Sequence, residues 1–375
     1  MLRYNHSVHF ISTNFFPRQP EDKEVFLLIN PPSGASRRRR SRIIGISVFA
    51  VLLVAAGAFL INRFLIVHED VPLYLQQEAS QTSKPVPTPL PALTPAPTVS
   101  ADPAVTPEPT PVLTPEPTPF ADDWNYVSKD LEIHIEQVQQ GKHVMYVADI
   151  TLKSGTLFHT AFAEGRFGRN IRQTTTQMAE ENGALFAVNG DYYGYRDNGI
   201  IIREGLLYRD NPAREMMALY TDGSMEIFDE KEVDANELIE DGVFNTLSFG
   251  PALVLDGELA DSEKFAKSGI RASNPRTGIG IYEPNHYVVI VADGRSDYSV
   301  GMTLDDFAQV FVDLGCTQAY NLDGGGSSTM VFRGRLVNRP QGSTHQRSTS
   351  DILYLTGEEP AAEPAEGVPA EPDGN

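Results

Sequence analysis

The chain has 375 residues, 41% of them hydrophobic, which allows one large domain or two ordinary ones. Lys+Arg 30 against Asp+Glu 50 leaves a formal net charge of -20, which excludes a general nucleic-acid binder but not a local anion site. The single cysteine, Cys316, excludes an intramolecular disulfide framework and a multi-cysteine zinc site. With no histidine close in sequence, Cys316 reads as a buried thiol packing as a small hydrophobe rather than as a nucleophile.

Residues 1–42 form an N-terminal segment ending in Arg37-Arg38-Arg39-Arg40-Ser41-Arg42. The uncharged run Ile43 to Ile61 follows directly, long enough to cross a hydrocarbon core of about 30 Å, and predicts a transmembrane helix. A cleaved signal peptide is the alternative, but this run exceeds an h-region of roughly 7 to 15 residues and begins well inside the chain. Arginines crowd its N-terminal flank while Arg63 stands alone just beyond it, so the positive-inside rule puts the N-terminus in the cytoplasm and everything after Phe64 outside. Residues 1–70 hold Lys+Arg 9 and Asp+Glu 5, leaving a strongly acidic exported part with 21 against 45.

Residues 62–120 read as a Thr/Pro-rich stalk. From Lys84 to Phe120 the chain carries about half of its prolines and repeats TPEPTP at Thr106 to Pro111 and Thr114 to Pro119. Such a stretch cannot build a core and favours polyproline II, at about 3.1 Å per residue a spacer on the order of 100 Å. A ligand for a proline-recognition domain is the sharper alternative. The tail 358–375 is acidic, proline-containing and nearly free of large apolar residues, the composition of a disordered segment.

Residues 121–357 remain as one domain. Short apolar runs bounded by Gly, Asn or Asp predict strands at Met145 to Leu152, Leu157 to Phe162, Ala184 to Val188, Ile200 to Leu207, Met217 to Tyr220 and Ala252 to Leu255. Further runs lie at Thr277 to Tyr282, Tyr287 to Ala292, Ala319 to Leu322, Thr329 to Phe332 and Ile352 to Leu355. Helices are predicted after the cap-like Thr303, where Leu304, Phe307, Val310, Phe311 and Leu314 recur at helical spacing until Gly315, and over Thr175 to Glu181 and Val233 to Ile239. The fold class is α+β, strand-rich with a few helices.

Three strand ends carry the polar residues expected of a site. Asn321-Leu322-Asp323-Gly324-Gly325-Gly326-Ser327-Ser328 follows a buried-looking strand; its glycines permit φ > 0 and an anion-binding nest of N–H groups, or simply a hairpin loop with a turn Asp. Asn189-Gly190-Asp191-Tyr192-Tyr193 and Asp293-Gly294-Arg295 are Asx-Gly turns that each also end a strand, and Arg276-Thr277 begins one. If these strands are neighbours, an arginine fork for phosphate meets paired carboxylates for work at a glycosidic carbon. The histidines are too scattered for metal-ligand spacing, and no HExxH, zinc-finger or EF-hand pattern is present. No cofactor is called for, although a divalent cation on Asp323 or Asp293 is compatible with the sequence.

These blocks, with Phe249-Gly250-Pro251, Asn274-Pro275-Arg276-Thr277 and Gly301-Met302-Thr303-Leu304, resemble in order and spacing the phosphodiester glycosidase domain family over most of Ala184 to Leu355. Asn338, Pro340 and Arg347 fit another of its features. The resemblance implies hydrolysis of a sugar-1-phosphodiester between the anomeric carbon and the phosphate oxygen. The catalytic carboxylates are then expected at Asp323 and Asp293, with Asp191 in reserve. Arg276, Arg295, Gly324, Gly325, Gly326, Ser327 and Ser328 are expected to hold phosphate, and Asn189, Thr277 and Asn321 to complete substrate binding. The expected partners are a glycan or sugar-phosphate substrate and the membrane through residues 43–61, in a single-pass, outward-facing hydrolase of cell-wall or exopolysaccharide material. The rival expectation is a non-catalytic glycan-binding module that keeps the cleft.

Overall fold

The computed structural model of the protein describes residues 34–76 and 119–358, apart from 154, 262, 264 and 266–269. Most of the proline-rich stretch and nearly all of the acidic tail lie outside the described residues. Gly34–Phe64 is one helix. Its window Ile46–Arg63, with mean hydropathy 2.0, is long and apolar enough to cross a membrane, as an anchor or as a signal sequence.

The remainder is strand-rich with few helices, as expected. Nine antiparallel strands form the larger sheet, in the order Glu258–Leu259, Ala252–Leu255, Gln318–Asn321, Arg276–Glu283, His286–Ala292, His143–Leu152, Leu131–Gln140, Asn125–Val127 and Phe120–Ala121. A second sheet orders Arg335–Leu336, Met330–Phe332, Phe186–Asn189, Asp351–Leu355 and His159–Phe162. Alternation along His286–Ala292 shows why the strands read as near-continuous apolar runs. Tyr287, Val289 and Val291 join Phe186, Val188, Phe332 and Leu353 in the core shared by the two sheets. Val288, Ile290 and Ala292 face the other way, onto Leu304, Phe307 and Phe311 of the helix Leu304–Asp313. On the far side of the second sheet, Met178 and Ala179 of the helix Thr175–Glu181 cover Ala187, Val331 and Ile352. Strands buried on both faces, such as His286–Ala292, carry apolar residues at nearly every position, whereas Leu131–Gln140 alternates with an exposed face.

Both longer predicted helices are found, each with its capping threonine: Thr174 accepts from Gln177 N and Thr303 from Asp306 N. The third runs Ala235–Glu240 after the cap Asp234. Two expectations change. The run Ile200 to Leu207 is a hairpin of Gly199–Arg203 and Leu206–Asn211, because Glu204 (φ 53) and Gly205 (φ 75) make a two-residue left-handed turn inside it. The segment read as the start of the stalk is folded onto the domain: His68–Glu69 pairs antiparallel with Gly168–Arg169.

Candidate active site

The two sheets meet at the loop that was expected to carry the chemistry. Gln318–Asn321 belongs to the nine-stranded sheet and Met330–Phe332 to the five-stranded one, so the residues between them cross the seam. Asn189, at the end of Phe186–Asn189, pins that crossing. Its Oδ1 accepts from Thr277 Oγ1 (2.8 Å) and Thr329 N (3.1 Å), and its Nδ2 donates to the carbonyl of Asp323 (2.6 Å). Asp293 makes a second pin, accepting from Asn338 Nδ2 (2.9 Å) and the Arg339 amide (3.0 Å), while Asn338 Nδ2 also donates to Ser328 O (3.0 Å).

On this frame Asp323 meets Arg347. The guanidinium Nη2 lies 3.1 and 3.3 Å from the two carboxylate oxygens and 2.8 Å from Gly324 O, and Nε donates to Ser327 Oγ at 2.9 Å. Gly325 takes φ 65, and a Cβ there would stand 3.1 Å from an Arg295 nitrogen, so the glycine also admits the second arginine. Arg295 is held by Asn274 Oδ1, 2.8 Å from Nη2 and 3.1 Å from Nε. Arg347 lines a cleft of about 540 Å³ with Arg172, Tyr192, Tyr195, Gln341 and His345. The Tyr192 and Tyr195 rings stack at 4.4 Å and 17°. Arg196 lies over Tyr192 and Phe249, at 5.2 and 5.1 Å. A stacked aromatic wall beside guanidinium groups suits the apolar face of a sugar next to an anion.

Several expected site residues have other work. Asp191 is fully buried: it accepts from Tyr193 N (2.7 Å) and Ser248 N (2.9 Å) and pairs with Arg203 (3.3 Å), which also binds Asp351 (2.8 Å). Packed inside the fold, it is removed from contact with a ligand in the cleft. Arg276 is 3% exposed and donates to the carbonyls of Ile270, Ala272 and Met302, so it clamps loops instead of gripping phosphate. Desolvation lowers its pKa to about 10. Asp293 is buried at the seam, with its oxygens spent on the pin. Asn189 and Thr277 are likewise buried on each other, and Asn321 donates to Gly250 O (2.9 Å). The nest is partly spent too: the amides of Gly325, Ser327 and Ser328 donate to Pro275 O, Gly324 O and Gly325 O. Ser328 is fully buried, while Ser327 serves Arg347.

Asp323 is therefore the expected carboxylate that pairs with a cleft-lining residue, Arg347, with 9% of its own side chain exposed. Burial pushes its pKa up, opposed by Arg347, the Ser327 hydroxyl and the Gly324 amide. Burial raises Asp293 as well, against Asn338 and Arg339. Among the described residues no group of three or more His, Cys, Asp or Glu is arranged to hold a metal ion. Motif reasoning missed Tyr195, Arg172, Gln341 and the role of His345. They come from three separate stretches, and only the turn chemistry of Tyr193–Tyr195 and Pro340–Gly342 brings them together.

Residues 182–356 match the family described as phosphodiester glycosidase. The "SPbeta prophage-derived uncharacterized protein YomE" of Bacillus subtilis (strain 168) is 34% identical over 199 residues, 51% of this chain and 30% of that protein. The N-acetylglucosamine-1-phosphodiester alpha-N-acetylglucosaminidase of Homo sapiens is 27% identical over 161 residues, 42% of this chain and 26% of that enzyme. The chain thus spans less than a third of the length of these curated relatives. A zebrafish structure of the catalytic domain of the same-named enzyme, auto-inhibited by its pro-peptide, shares the fold with TM-score 0.50 and 20% identity, covering 61% of this chain and 83% of that one.

Proposed function

We propose that the protein is a hydrolase that splits a sugar-1-phosphodiester at the bond between the anomeric carbon and the phosphate oxygen, because residues 182–356 match the family described as phosphodiester glycosidase. The observation that carries this is the Asp323–Arg347 pair on the glycine crossing: a nearly buried carboxylate and a cleft-lining guanidinium held 3.1 Å apart. Water supplies the hydroxyl that ends on the anomeric carbon, and the bonding electron pair leaves with the phosphate oxygen. The products are a free sugar and the phosphate monoester of the aglycone.

The division of labour follows from charge. A departing phosphate monoester has a second pKa of about 6, so it needs little help from an acid and much from cations. Arg347 and Arg295 supply those. The sugar carbon gains positive charge in an oxocarbenium-like transition state and calls for a carboxylate, the place of Asp323. One cleft carboxylate is enough when the leaving group is this good, so burial of Asp293 and Asp191 leaves the chemistry intact. The Tyr192–Tyr195 stack would seat the sugar.

The apolar helix would anchor the chain with residues after Phe64 outside, since the arginine run precedes it. The test is release of free sugar and phosphate monoester from N-acetylglucosamine 1-(methyl phosphate) and related diesters by the purified full-length chain. Binding of the diester without release of sugar would replace this reading with that of a glycan-binding module.

A further inference from the structure

The chain does not leave the domain when the apolar helix ends. Arg63, the last residue of the apolar window, donates through Nη2 to the carbonyl oxygen of Tyr195 at 2.8 Å. Asn170 Nδ2 in turn donates to the carbonyls of Arg63 (3.1 Å) and Ile66 (2.6 Å). Two residues on, His68–Glu69 adds to Gly168–Arg169, and Asp70 N donates to Phe167 O at 3.2 Å. Glu69 and Asp70 pair with Arg166 (3.1 Å) and Arg209 (3.8 Å), and Tyr74 meets Tyr208 edge-on at 5.3 Å. Gly168 shows that the seat is built in. Its backbone is one that other residues adopt, yet a Cβ there would fall 2.1 Å from the His68 carbonyl oxygen.

The same segment turns an apolar side to the surroundings. Leu65, Ile66, Val67, Val71 and Leu75 are 67, 46, 50, 63 and 43% exposed, directly continuing the exposed apolar side chains of the helix. Apolar side chains left facing water are unfavourable by roughly 25 cal/mol per Å² of apolar surface, and several of them exposed on one short segment mark an interaction surface. Its continuity with a helix fit to cross a membrane identifies the occupant as lipid. Between helix end and first strand stand only Leu65 to Val67, and Gln76 and Pro119 both belong to the compact unit that begins at Asn62.

We propose that this face lies on the bilayer and that the substrate is itself membrane-borne: a sugar-1-phosphodiester whose aglycone is a long-chain lipid alcohol. The proposal rests on the anchor and hydrolase readings above. Tyr195, whose ring lines the cleft, is one hydrogen bond from the residue that ends the apolar window, so the cleft opens where lipid-linked head groups are presented. Arg63 is a positioning residue, holding the Tyr195 turn, and the lipid phosphate remains in the membrane after the sugar leaves with the hydroxyl of water. Confinement of enzyme and substrate to one surface raises the effective concentration of the head group.

The experiment uses the full-length chain in phosphatidylcholine vesicles with two diesters of the same sugar, one carrying a polyprenyl chain and one a methyl group. The expected kcat/KM for the prenyl diester exceeds that for the methyl diester by about tenfold or more, as surface confinement predicts. In Arg63→Ala that ratio falls through a rise in KM, and Arg63→Lys recovers part of it. Hydrolysis of the methyl diester with no prenyl preference would overturn the proposal and leave the hydrolase reading standing. A second measurement needs no turnover. Cys316 is buried, so a Val71→Cys variant accepts an environment-sensitive fluorophore at one exposed position. Blue-shifted, lipid-quenchable emission at 71, absent from the same label in Leu259→Cys, is expected. Water-like emission at both positions would overturn the proposal even if neither diester is cleaved.

Discussion

Arg347 divides one guanidinium between Asp323 and the turn that carries it. Nη2 reaches both carboxylate oxygens, at 3.1 and 3.3 Å, while Nε takes the Ser327 hydroxyl at 2.9 Å. The arginine therefore sets both the position of the carboxylate and its charge, and the first two predictions separate those effects.

Asp323→Asn keeps the size of the side chain and removes its charge. If the carboxylate acts at the anomeric carbon, kcat and kcat/KM should fall together by about 10² to 10⁴ while thermal unfolding changes little. Near wild-type kcat/KM in a folded Asp323→Asn protein would remove Asp323 from the reaction.

The pH profile carries the second test. Burial raises the Asp323 pKa and Arg347 lowers it, so kcat/KM should climb with pH through a limb above the ordinary carboxylate value, as Asp323 ionises. Arg347→Ala deletes the lowering influence and should move that limb to higher pH, besides raising KM. A limb that stays in place in Arg347→Ala would show that another group titrates.

Asn189→Ala tests the seam. The variant leaves the Thr277 hydroxyl, the Thr329 amide and the Asp323 carbonyl without their shared partner. A buried group left unsatisfied costs about 1–3 kcal/mol, so a loss on the order of 2–4 kcal/mol is expected in urea unfolding, with weakened turnover because Asp323 is no longer held. A loss within about 0.5 kcal/mol, the range of neutral surface changes, would mean that Asn189 pins nothing.

Asp351 should make stability depend on pH. Two carboxylates, Asp191 and Asp351, share the buried Arg203, and burial together with Asp191 lifts the Asp351 pKa to about 8. An acid whose folded pKa is raised holds its proton in the native state and has lost it in the unfolded one, so its contribution is full below the ordinary carboxylate pKa and is lost as pH rises through about 8. Wild-type stability should thus decline between pH 5 and about 8 relative to Asp351→Asn, which has no proton to lose. Parallel stability curves for the two proteins would show that the raised pKa is absent.

The sequence by itself determined that the domain is strand-rich with a few helices, and where many of those elements lie. Thr303 marks the start of one helix, glycines and Asx residues bound many strands, and the order of the turn motifs carries the resemblance to the phosphodiester glycosidase family. It also singled out Asp323 and, by resemblance, Arg347, which the fold brings within 3.1 Å of each other. Which polar residues face the cleft was decided only by the tertiary structure. Asp191, Asp293, Asp323 and Arg276 look alike as charged residues at strand ends, and alternation cannot rank them because the strands they adjoin are buried on both faces. Asp191 and Asp293 are buried against partners 12 and 45 positions further along the chain, Arg203 and Asn338, whereas Asp323 pairs with Arg347, whose side chain is 47% exposed. The strand formed by His68–Glu69 was hidden for the same reason. Two residues carry no periodicity, and what makes them a strand is the bare backbone of Gly168, a hundred positions further along the chain.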